Sequence, residues 1–88
     1  MSEWEDAILD AVASAGGEAN LSHIYSTLQG TMQLTKQHLR PTQWGGRPAY
    51  QHQVRSHITN LCQAGALRWV SRGRYALTPG GRTRIRRG

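Results

Sequence analysis

His52, Arg55, Ser56 and Thr59 are the residues of this chain whose types and spacing suggest chemistry. They recur at i, i+3, i+4 and i+7, which places them on one face of a helix at about 100° per residue. An imidazole, a guanidinium and two hydroxyls can all bond to phosphate oxygens or base edges. Gln63 falls on the same face, which has no Asp or Glu, and Gln51 adds an amide nearby. The opposite stripe, Tyr50, Val54, Ile58, Leu61 and Cys62, is apolar, so residues 50–65 are expected to form an amphipathic helix. Gly65 is expected to close it as a left-handed C′ residue.

Two short β-like runs, 66–70 and 75–77, follow around the sequence SRGR. Leu67 and Trp69 alternate with Arg68, and Tyr75 with Leu77 across the turn, so one face of a hairpin is expected to be buried. Gly73 supplies the backbone freedom of a tight turn. Arg72 and Arg74 flank it and would project from the tip, with phosphate contact favoured over simple protection of a sheet edge. Arg68, on the first strand, joins the same candidate set. A polar-faced helix feeding a basic hairpin has the layout of a winged helix.

The distribution of charge sharpens this. The chain has 88 residues and a net charge of +6, yet all five acidic residues (Glu3, Glu5, Asp6, Asp10 and Glu18) lie in the first eighteen positions. All eleven basic residues lie from Lys36 onward, and ten of them are Arg. From Ala19 the chain therefore carries +11 with no acid in its own sequence to offset it. Guanidinium pairs bidentately with phosphate and stacks on bases, so this imbalance fits a polyanionic partner.

The elements that must hold the helix and hairpin are short. Ser2 and Glu5 form an S-x-x-E capping box, and Glu3, Glu5 and Asp6 suit the positive end of a helix dipole. Trp4, Ile8, Ala11, Val12 and Ala15 give that helix its buried stripe, and Gly16-Gly17 ends it. Glu18-Ala19 can form a third sheet edge. Asn20 is expected to cap a second helix over 21–28, stopped by Gly30. Within 31–49, one helical turn over 34–39 and then a Pro- and Gly-rich loop are expected. Trp44 in that loop is read as a lid over the core in preference to an exposed stacking residue. Arg47 precedes the long helix, where a phosphate would meet both its side chain and the free N–H groups. Residues 1–81 are expected to form one domain, and 82–88 (RTRIRRG) a basic, flexible tail that offers Arg82 and Arg84 to the partner's backbone.

Several classes fall away. His52, His57 and Cys62 are five apart and rotate away from one another, so they make no metal site. With every carboxylate near the N-terminus, no Ser–His–acid arrangement forms, and no GxxxxGK[ST] loop is present. No catalytic residue, metal, cofactor or small-molecule substrate is expected. One cysteine excludes an internal disulfide and points to a reducing compartment. The start MSEWEDAI lacks the layout of a signal peptide, and no apolar run approaches 18 residues, so a cytoplasmic location without membrane contact is expected.

Residues 16–82 resemble the N-terminal winged-helix domain of Mrr-type restriction endonucleases. The matching pieces are GGEANLSHIYSTL, GRPAYQHQVRSHITNLCQAGAL and SRGRYALTPGGR. The pattern is an aromatic, a Val, then L-x-x-A-G-x-L, then R-G-x-Y-x-L-T-x-x-G. By position the resemblance makes Tyr50, Val54, Leu61, Ala64, Gly65 and Leu67 framework, and Gly73, Tyr75, Leu77, Thr78 and Gly81 shapers of the wing. It implies double-stranded DNA binding with the third helix in the major groove; the nuclease domain of those enzymes has no counterpart here. The expectation is an α+β winged helix-turn-helix of three main helices and a small antiparallel sheet. Its role would be a small regulator, or the targeting domain of a restriction or defence system, reading sequence or base modification. The alternative is a protein-interaction module with an acidic partner; a homodimer stays open, and RNA binding ranks last.

Overall fold

The computed structural model describes residues 3–31 and 49–87. In chain order these form α1 (Glu3–Ser14), β1 (Glu18–Asn20), α2 (Leu21–Thr31), α3 (Ala49–Gln63), β2 (Leu67–Ser71), β3 (Arg74–Leu77) and α4 (Pro79–Arg87). The three strands make one antiparallel sheet in the order β1-β3-β2. The two-residue-wide expectation at Glu18-Ala19 is a full strand, pairing Glu18 with Ala76 and Asn20 with Arg74.

Apolar periodicity explains how the helices meet. Ile8, Leu9, Ala11 and Val12 of α1, Ile24 and Leu28 of α2, and Tyr50, Val54, Ile58 and Leu61 of α3 are buried together with Leu67 and Leu77 of the sheet. Truncating one fully buried leucine of this set, such as Leu61, would cost about 2–5 kcal/mol. Tyr50 is 1% exposed, and its hydroxyl accepts a 2.7 Å hydrogen bond from Gln29 Nε2, so its burial leaves no polar atom unsatisfied. Asn20 caps α2 as expected, its Oδ1 accepting from the His23 backbone N–H at 2.8 Å. The Leu21 N–H donates to the Gly73 carbonyl at 2.8 Å, tying the start of α2 to the hairpin turn. Gly30 does not stop α2, which continues to Thr31; one glycine in a helix costs about 1 kcal/mol relative to Ala, which neighbouring packing overrides.

The C-terminal segment differs most from its sequence reading. Residues 82–87, expected to form a flexible tail, are helical within α4, which among the described residues adds a fourth helix to the three main ones and spans the boundary expected at residue 81. Thr78 is the N-cap: its Oγ1 accepts from the Gly81 N–H at 3.1 Å while its own hydroxyl donates to the Gly65 carbonyl. Pro79 occupies the first helical position, where its missing N–H costs nothing. Ile85 packs partly buried against the core. Gly81 is required here, because a Cβ would run into the Ala66 carbonyl oxygen.

Candidate nucleic-acid interface

Burial of Tyr50, Val54, Ile58 and Leu61 fixes the rotation of α3 about its axis, and this turns His52, Arg55, Ser56 and Thr59 to solvent. The sequence-derived face is therefore a real surface of the fold. Thr59 Oγ1 donates to the Arg55 carbonyl at 3.1 Å, so its hydroxyl hydrogen is already engaged within the helix. Gln51 is half-buried, with its Nε2 3.4 Å from the Tyr50 hydroxyl. Cys62 is partly buried at the edge of the core, and burial pushes its thiol up, as fits a packing residue.

The hairpin divides its arginines between two faces. Arg74 and Glu18 are diagonal neighbours on adjacent strands, and Arg74 Nε meets Glu18 Oε2 at 2.6 Å. Arg68 pairs in register with Ala76, and strand alternation puts it on that same outer face. Trp69 pairs with Tyr75 on the face that carries Leu67. Trp69 was expected to be buried with Leu67, yet it is 64% exposed while Leu67 is 2% exposed. Alternation correctly assigns its face, but the core ends one pair earlier, and the pairing slips by a residue between Trp69 and Ser71. Gly73 holds φ of +72° at the turn, as the sequence requires.

The result is an open cleft of about 540 Å³ between α3 and the wing, lined by Leu21, Arg55, Trp69, Arg72, Gly73 and Tyr75. Arg55 of α3 and Arg72 of the wing both line it, and none of the chain's five carboxylate side chains lies among its walls. The turn glycine that shapes the cleft is also the one whose carbonyl receives the start of α2.

The arginines of α4 are placed otherwise. Arg84 Nη2 lies 3.3 Å from Glu5 Oε1, and His57 Nδ1 lies 3.0 Å from Glu5 Oε2. One carboxylate thus joins α1, α3 and α4, and Trp4 stacks on the His57 ring at 6.4 Å between centroids with 10° between planes. Burial would raise the Glu5 carboxyl, but hydrogen bonds and charge from His57 and Arg84 outweigh it and hold its pKa below the ordinary value. Glu5 therefore serves a long-range junction; Ser2, the other half of the capping box read from the sequence, lies outside the described residues. Arg82 lies over the α1 terminus: a Cβ at Gly17 would sit 2.7 Å from its Nη2.

The structure thus brings together Arg55 and Arg72, leaves His52, Ser56 and Thr59 on the adjoining helix face, and separates Arg68, Arg74, Arg82 and Arg84 from the cleft. Arg47 and Trp44, with the helical turn expected over 34–39, lie outside the described residues. Trp69 is the cleft-lining residue that the sequence reading placed in the core instead; its signal was its place beyond the last buried pair on its face of the hairpin. Among the described residues no group of three or more His, Cys, Asp or Glu could hold a metal ion, and no helix is long and apolar enough to cross a membrane.

A helical core, a third helix with a polar outer face and a three-stranded sheet ending in a basic hairpin define a winged helix-turn-helix domain. The model of the Mrr N-terminal domain matches residues 2–87, and the chain belongs to that family. No curated protein and no solved structure matches it.

Proposed function

We propose that this domain binds double-stranded DNA, with α3 in the major groove and the wing on the flanking backbone. The observation that carries this reading is the convergence of Arg55 and Arg72, free of any carboxylate, on one cleft between those two elements. His52, Arg55, Ser56 and Thr59 would face base edges, and Arg72 a phosphate. The family assignment supports a role beside restriction systems, as a targeting domain or a small regulator. On this reading the domain binds, and Glu5 and Glu18 serve the fold through ion pairs that tie elements together. Selection of bound duplexes from a random library, followed by affinity measured across salt concentrations, tests it. A recovered motif together with a steep salt dependence is expected; weak, salt-insensitive binding would refute it.

A second reading, docking of an acidic protein on the same cleft, is favoured by Trp69, since exposed Trp beside Arg is a common interface anchor. It requires negligible affinity for duplex DNA at moderate salt.

A further inference from the structure

Trp69 is the one large hydrophobic side chain exposed among the described residues, and it lies where DNA would pass. An intact duplex offers a protein phosphates, sugars and base edges, whereas the flat faces of its bases are covered by their neighbours. An indole that lines one cleft together with two guanidiniums has a different complement: an aromatic base with phosphates flanking it. Leu21 and Tyr75 continue the apolar wall beside Trp69, and the cleft's volume is in the range of small-ligand sites. Neither Arg55 nor Arg72 is neutralised by any of the chain's carboxylate side chains, so both charges are available to the two phosphates.

We infer that this cleft takes one nucleotide lying outside the base stack, its base against the Trp69 indole and one flanking phosphate on Arg72, while Arg55, which faces base edges on an intact duplex, meets the other. The inference rests on the DNA-binding reading above and adds a ligand: DNA with an unpaired base. Withdrawing a paired base from a duplex carries an unstacking and unpairing penalty, which is smallest for a base that is already unpaired. Stacking on an aromatic side chain then contributes with little dependence on which base it is. The domain therefore prefers a bulged or mismatched duplex to an intact one, through Trp69 and without sequence preference at that nucleotide.

The test compares three duplexes of one sequence: intact, with a single extra unpaired adenine, and with an abasic residue in place of that adenine. The abasic duplex keeps the added phosphate and the bend but lacks the base. Wild-type protein should bind the bulged duplex roughly 10- to 100-fold more tightly than either of the others. Trp69→Ala should erase that preference, while Trp69→Phe should keep most of it. With 2-aminopurine as the unpaired base, its fluorescence should be quenched on binding wild-type protein, a reading that needs no variant to fold. Equal wild-type affinity for the bulged and abasic duplexes, or unquenched 2-aminopurine in a formed complex, would overturn the inference and leave intact-duplex binding standing. Absence of binding to all three would refute the DNA-binding reading itself.

Discussion

Two regions of this domain are rich in arginine, and they differ in what faces them. In α4, Arg84 meets Glu5, and the same carboxylate also receives His57 from α3. The cleft between α3 and the wing is lined by Arg55 and Arg72, with no carboxylate in its walls. Net charge cannot distinguish these regions, because both lie in the half of the chain that contains no acid. The fold does so by bringing the N-terminal acids back: α1 carries Glu5 to α4, and β1 carries Glu18 to Arg74. One region is thus a junction that holds helices together, and the other is, on the proposed reading, the surface that meets DNA.

Breaking the junction should have the largest effect on stability. Deleting residues 82–88 removes the partly buried Ile85 and the Arg84 partner of Glu5, and should lower stability by about 2–4 kcal/mol, read as a fall in Tm. An unchanged Tm would show that α4 contributes nothing to the fold. On the cleft side, Arg55→Ala should leave Tm almost unaltered, because the side chain is exposed. On the proposed reading it should cost about 1–3 kcal/mol on the preferred duplex and flatten discrimination among duplexes.

Gly73→Val tests how the wing presents its charge. A β-branched residue at φ of +72° is strained, so stability should fall by about 1–2 kcal/mol, read by denaturant titration. An unaltered midpoint would argue against the left-handed turn.

A smaller effect concerns pH. The Glu5 carboxyl titrates lower in the folded chain than in the unfolded one, so its contribution is complete above the ordinary value of 4.5 and is lost as pH falls through the lowered folded value. Between about pH 5 and about pH 3 the wild-type Tm should therefore drop more steeply than that of Glu5→Gln. Parallel Tm curves would remove Glu5 from the junction.

The sequence made the cleft's helix legible and the junction illegible, for physical reasons. A period near 3.6 in Tyr50, Val54, Ile58 and Leu61 reports burial directly, and the polar face follows as its complement. Gly73 was legible because a tight turn demands a residue tolerant of positive φ. Glu5 and its partners are 52 and 79 residues apart in sequence, a distance at which spacing carries no information, so a local capping role was the natural reading. α4 was hidden by Gly80, Gly81 and a run of arginines, although Thr78-Pro79 is a recognisable N-cap and first helical position. Trp69 shows the limit of alternation: it assigns a side chain to a face of the sheet, but the end of the core depends on the packing of α3 and on the slip in strand pairing.

The claim that the two arginine groups differ in function is tested most directly by the salt dependence of duplex binding in two double variants. Each phosphate contact contributes a slope of about −0.9 in log K against log salt. Arg55→Ala combined with Arg72→Ala should weaken binding and make the slope shallower by about 1, the phosphate contact of Arg72, whereas Arg82→Ala combined with Arg84→Ala should leave it within about 0.5 of wild type. Equal losses in the two variants, or a larger loss in the α4 variant, would contradict the account.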